Sequence, residues 1–132
     1  MDSGNNAWIL TSTALVLLMT LPGLALFYGG MVRRKNVLST LMQSLGAAAV
    51  VTVLWALVGY SLAFSDGGVA NGFVGGLGRL GLSGIMPDTM SGDLPENLFL
   101  MFQLTFAIIT VAIIAGAAVE RIKFSAFMVF GA

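Results

Sequence analysis

The sequence predicts an all-α integral membrane protein, a multi-helix bundle whose helices cross a bilayer. Three observations carry that prediction. Of 132 residues, 58% are hydrophobic and only 9% are charged, where soluble domains carry about 25% charged residues. Mean hydropathy is +0.96. The six basic and six acidic residues are also clustered: none lies between Ser3 and Val32, between Asn36 and Ser65, or between Asn97 and Val119. Each gap exceeds the roughly 20 residues a helix needs to cross about 30 Å of hydrocarbon. A net charge of zero provides no electrostatic footprint for nucleic acid. Cysteine and histidine are absent, which removes thiol chemistry, disulfides and most transition-metal sites. No cofactor and no metal are expected, and no nucleophile–base pair or phosphate loop points to an enzyme.

The first helix is predicted over residues 7–32. It is too long for the apolar region of a signal peptide, and its positive charges follow it instead of preceding it, so it reads as a retained span. Within it lies TLPGLALFYGG, residues 20–30. Proline and glycine are tolerated in a membrane helix where neighbours satisfy the freed backbone groups or pack closely. Ala25 and Gly29 form a small-xxx-small pair that lets another helix approach. Two roles fit Phe27 and Tyr28, a packing face beside a Pro22 kink or a pore lining, and Tyr28 also suits an interfacial anchor.

The second helix is predicted over 38–64. Ser39, Thr40, Gln43 and Ser44 stand near its end beside Arg33, Arg34 and Lys35, where water is close, so no special role is expected of them. Gly46 and the alanines after it predict close helix packing. Residues 65–95 form a Gly-rich connection with a formal G-x-G-x-x-G at Gly76, Gly78 and Gly81. That pattern signifies a dinucleotide site only between a strand and a helix of a βαβ unit. Between two membrane spans the expectation is a flexible or loosely folded loop. It closes on DLPEN, where Asp93 suits a helix cap, Pro95 an early helical position and Glu96 the positive end of the helix dipole.

The third helix is predicted over 97–119. At about 100° per residue, Phe99, Phe102, Gln103, Phe106 and Thr110 share one face. Gln103 lies roughly 9 Å from the start of this helix, with Phe106 one turn deeper. A buried amide without a partner costs a few kcal/mol, so Gln103 is expected to face protein or water. Phenylalanine faces attract cations by about 0.5–2 kcal/mol. An amide among rings therefore suits recruitment of a small cation, but ring packing is the commoner use of such spacing, and periodicity alone favours it. Glu120 is expected to pair with a basic neighbour. A fourth apolar run, 124–132, is too short to span, so the chain is expected to be part of a longer protein.

Arg33, Arg34, Lys35, Arg121 and Lys123 flank one side of these spans. The other side has Arg79 beside Asp2, Asp66, Asp88, Asp93 and Glu96. Basic excess marks the cytoplasmic side, which places the N-terminus and the loop 65–95 outside a plasma or inner membrane.

Three segments, TALVLLMTLPGLALFYGGMVRRKNVLS, LWALVGYSLAFS and FQLTFAIITVAIIAGAAVERIKFSAF, together resemble the ammonium transporter family. That family includes the methylammonium permeases and is related to the Rhesus proteins. The resemblance implies eleven membrane helices, two inverted five-helix repeats, an outside N-terminus and a homotrimer in membrane lipids. On that scheme the chain is the N-terminal part of one membrane domain, with three full helices and the start of a fourth. It implies ammonium/ammonia transport for nitrogen uptake, with methylammonium as an analogue and a cytoplasmic PII-type protein as a regulatory partner. An ammonium sensor on the same fold is the alternative, and a three-span scaffold subunit a third reading. By resemblance, Phe106 looks like the first phenylalanine of a gate, Phe102 like a wall of the recruitment site and Gln103 like a supporting neighbour. Phe27 and Tyr28 match positions near the cytoplasmic exit. The family's lumen histidines, recruiting tryptophan, structural aspartate and second gate phenylalanine match nothing here and belong further along. Trp8 and Trp55 are not substitutes for that tryptophan, and this chain alone is not expected to conduct selectively.

Overall fold

A computed structural model describes residues 3–118 and 121–132. Three of its helices are long and apolar enough to cross a membrane. Helix α1 runs Ser3–Met31. It begins ahead of the predicted residue 7, because Ser3, Asn5 and Asn6 wind into the first turn although they are not apolar; hydropathy locates the greasy middle of a helix, not its ends. Pro22 has no N–H to donate and its ring crowds the carbonyl four residues back. The helix absorbs it by widening to π winding over Met19–Leu24 and then resumes α geometry. Gly23 fits this wide turn because a β-carbon there would stand 3.1 Å from the Leu18 carbonyl oxygen.

Helix α2 spans Arg34–Phe64. It opens with a 3₁₀ turn at Arg34–Asn36 and carries a second π segment at Trp55–Gly59. Helix α3 is Glu96–Ala118 and α4 is Phe124–Gly131. Val119 and the pairing expected of Glu120 lie outside the described residues, as does Asp2. The molecule thus has a loop end, carrying residues 65–95, and a basic end, carrying Arg33, Arg34, Lys35, Arg121 and Lys123.

α3 is the most enclosed of the long helices and packs against both α1 and α2. Ala48 and Val51 of α2 meet Leu104 and Ile108 of α3, with Leu17 and Leu21 of α1 against them. Nearer the basic end, Ala47, Ala115 and Phe127 tie α2, α3 and α4 together. Small side chains at these crossings let backbones approach where lipid supplies no hydrophobic drive between helices. The predicted pair behaves this way: Ala25 is buried, and a β-carbon on Gly29 would stand 3.4 Å from the Leu41 side chain of α2. At Gly46 the approach is closer, with the Met128 sulfur 2.9 Å and the Phe124 ring 3.0 Å from where a β-carbon would be.

Two expectations are corrected. Thr40, Gln43 and Ser44 are not water-exposed; they are buried in a part of α2 that packs against α1, α3 and α4. Gln43 is 4% exposed and Ser44 1%, and Gln43 Oε1 and Ser44 Oγ have no hydrogen-bond partner among the described residues. Nor is the Gly-rich loop loosely folded. It carries 3₁₀ turns at Gly68–Ala70 and Leu80–Leu82, then a hairpin of β1, Met90–Ser91, with β2, Leu94–Pro95. Gly92, at φ 61°, takes the first turn position between these strands, a place glycine suits. Asp93 is the second turn residue and its side chain makes no capping bond among the described residues, so α3 starts at Glu96 without it.

Candidate functional site

The helical spacing on α3 places Phe102 and Phe106 one turn apart, and their rings meet edge to face, centroids 5.1 Å apart and planes at 78°. That arrangement sets the positive edge of one ring against the negative face of the other. Phe106 is 41% exposed, while Phe102 and Gln103 are half-buried. Gln103 makes no hydrogen bond to the described residues, so its amide remains available. The hydroxyls on this helix are not: Thr105 Oγ1 donates to the Phe102 carbonyl at 2.5 Å, and Thr110 Oγ1 to the Phe106 carbonyl at 2.7 Å. Thr110 therefore shares the face without presenting a donor from it.

Phe99, expected on the same face, is drawn elsewhere. Its ring packs edge-on against Phe64 of α2 at 5.0 Å, and Phe64 in turn contacts Tyr60 and Trp55. Alongside Ala107, Thr110 and Val111 of α3, an apolar cleft of about 380 Å³ opens between α2, α3 and the end of the chain after α4, lined also by Val51, Trp55 and Val58 among others. Exposed rings with an amide beside them can hold a small cation at about 0.5–2 kcal/mol per ring. The cleft offers an ion nothing comparable.

Phe27 and Tyr28 lie on a different part of the molecule. Tyr28 docks on α3 at Ile113 and Gly116, which lie about 10–15 Å further along the helix than Phe106. The two rings are edge to face at 5.3 Å, and Phe27 is exposed. Tyr28, Met31, Gly116, Ala117 and Arg121 line a depression of about 350 Å³ at the basic end. The structure thus brings Phe102, Gln103 and Phe106 together at one level, and Phe27 with Tyr28 at another.

Sequence reasoning missed a polar cluster at the loop end. Glu96, at the start of α3, is 6% exposed and Tyr60 of α2 is 2% exposed. The Tyr60 hydroxyl donates to Glu96 Oε1 at 2.8 Å, and Arg79 of the loop places Nη1 3.6 Å from Glu96 Oε2. The only hint was that Arg79 is the single basic residue in an otherwise acidic loop. Among the described residues there is no group of three or more potential metal ligands.

Comparison with known proteins assigns the family. The model of the Ammonium Transporter Family matches residues 7–132. The ammonium transporters of Mycobacterium tuberculosis and Bacillus subtilis are each 50% identical over 98% of this chain, covering 30% and 32% of those proteins. That of Aquifex aeolicus is 52% identical over 98% of the chain and 30% of its own length. The crystal structure of Saccharomyces cerevisiae Mep2 superposes with a TM-score of 0.83 at 40% identity, over 99% of this chain and 30% of that one. The chain therefore spans about a third of the length of these relatives, the bacterial ones among which are named as transporters and not as enzymes. With three membrane-capable helices, an aromatic pair on the third and this match across nearly its whole length, the chain belongs to the ammonium transporter family.

Proposed function

We propose that the chain forms part of a pathway carrying ammonium/ammonia across a cell membrane, with the loop end outside. The observation that carries this reading is the Phe102–Phe106 ring pair, left partly uncovered beside a Gln103 with no hydrogen bond among the described residues, with an apolar cleft alongside the same helix. Relatives named as ammonium transporters support the choice of cargo. The excess of basic residues at the opposite end supports the orientation.

The physical logic follows from hydration. Moving an intact ammonium ion into an apolar passage forfeits strong ion–water interactions. Ring faces and the Gln103 carbonyl oxygen offset part of that loss at the mouth. Giving up a proton to water at the mouth leaves neutral ammonia, for which the apolar cleft is a far smaller barrier. Potassium has no proton to release, so the same passage discriminates against it. Phe102 recruits, Phe106 closes the path to bulk water, and Tyr28 with Phe27 borders the inner exit. Assembly as a homotrimer in the cell membrane belongs to the same proposal.

The test is Phe106→Ala in the full-length transporter, followed by methylammonium uptake with potassium as competitor. The reading expects altered uptake together with weaker discrimination against potassium. Wild-type uptake and wild-type discrimination would remove Phe106 from the gate.

A further inference from the structure

We infer that Glu96, held by Tyr60 and Arg79, is a positioning residue that fixes the height and rotation of the aromatic pair on α3. This rests on the ammonium-transport reading of the same face. Three independent elements converge on this one residue, two on its carboxylate and one on its backbone. α2 contributes the Tyr60 hydroxyl, 2.8 Å from Oε1. The external loop contributes the Arg79 guanidinium, 3.6 Å from Oε2. The hairpin end contributes the Thr89 carbonyl, which accepts the Glu96 backbone N–H at 2.7 Å.

The carboxylate is nine-tenths buried, and Oε2 has no hydrogen bond besides the ionic contact with Arg79. A buried carboxylate is costly unless its partners stay in place, so the partners and the helix that bears Glu96 are mutually restrained. Glu96 is also the first residue of α3, and no break interrupts the helix between it and Phe102 or Phe106. A rigid helix transmits rotation at about 100° per residue and displacement at 1.5 Å per residue. Anchoring its first turn therefore sets where both rings point.

The loop delivers Arg79 because it is tightly fitted. Ser61 Oγ donates to the Gly76 carbonyl at 2.6 Å and accepts the Arg79 N–H at 3.1 Å, and Ser65 Oγ reaches the same Gly76 carbonyl at 2.9 Å. The Gly75 N–H bonds the Leu62 carbonyl at 2.7 Å. The glycine-rich run thus acts as a fitted bracket carrying one cation to one buried anion.

The experiment compares Tyr60→Phe, Glu96→Gln, Arg79→Gln and Arg79→Lys in the full-length transporter, measuring KM and maximal methylammonium uptake per transporter at the cell surface. Misplaced rings weaken recruitment, so Tyr60→Phe and Arg79→Gln are expected to raise KM about three- to tenfold with maximal uptake little changed, and Arg79→Lys to restore most of the loss. Unchanged KM in both Tyr60→Phe and Arg79→Gln overturns the inference. A fall confined to surface abundance also overturns it, leaving Glu96 a folding role. If Glu96→Gln fails to reach the membrane, the Tyr60 and Arg79 variants decide alone. A wild-type protein that takes up no methylammonium would instead sink the transport reading, a distinguishable result.

Discussion

Tyr28 of α1 donates its hydroxyl proton to the carbonyl of Ile113 on α3, 3.3 Å away, and Gly116 is the notch that admits its ring. A β-carbon on Gly116 would stand 2.6 Å from the Tyr28 ring. Because the ring is held at its far end by the hydroxyl, it cannot swing aside freely. Gly116→Ala is therefore expected to destabilise the protein by about 1–3 kcal/mol, the usual range for overpacking. The thermal midpoint of detergent-purified protein measures this, and Gly116→Ala combined with Tyr28→Ala should recover part of the loss. An unchanged midpoint in the single variant would mean that the helices separate at no cost.

Phe102→Ala should raise KM for methylammonium by about 2- to 30-fold, the equivalent of one cation–ring contact of about 0.5–2 kcal/mol. Phe102→Trp should hold KM near the wild-type value. If alanine and tryptophan give the same KM, the ring at this position plays no part in recruitment.

The glycines of the external loop should not be equivalent. A β-carbon on Gly76 would overlap the Asp66 carbonyl, a backbone atom that cannot move alone, whereas Gly78 has open space around it. Gly76→Ala is expected to loosen the loop and expose it to protease, and Gly78→Ala to leave the digestion rate unchanged. Equal rates would contradict the fitted loop.

Gln43 carries a buried Oε1 without a partner among the described residues. An unpaired buried amide costs about 1–3 kcal/mol, so Gln43→Leu should leave stability unchanged or raise the thermal midpoint. A marked fall would reveal a partner that the described residues do not contain.

Much of this was legible in the sequence. Gaps between charges mark the three spans, and helical spacing joins Phe102 to Gln103 and Phe106, because both depend on local periodicity. Ala25, Gly29 and Gly46 were readable as close approaches for the same reason. What was not legible depends on contacts between distant segments. The burial of Gln43 and Ser44 needed other helices packed over α2. Phe99 turned to Phe64, a residue 35 positions away, and no pattern within α3 reveals that. Arg79 meeting Glu96 required a loop path set by Ser61 and Gly76, while composition suggested only slack. Conversely, Asp93 looked like a cap from DLPEN alone, and the hairpin took that residue for its turn.

The wide turn around Pro22 has an effect on α1 beyond accommodating a proline. In unbroken α winding, Ala25 would point about 140° away from Thr20, yet both are buried. Winding more residues into each turn takes up part of that angle, so the two halves of α1 keep their inward sides in phase although their sequences do not. The helix is in effect two shorter rods joined with a built-in angular offset. Straightening the segment into ideal α geometry without removing a residue would leave each half intact. It would also swing Gly29 and Tyr28 away from α2 and α3 towards lipid.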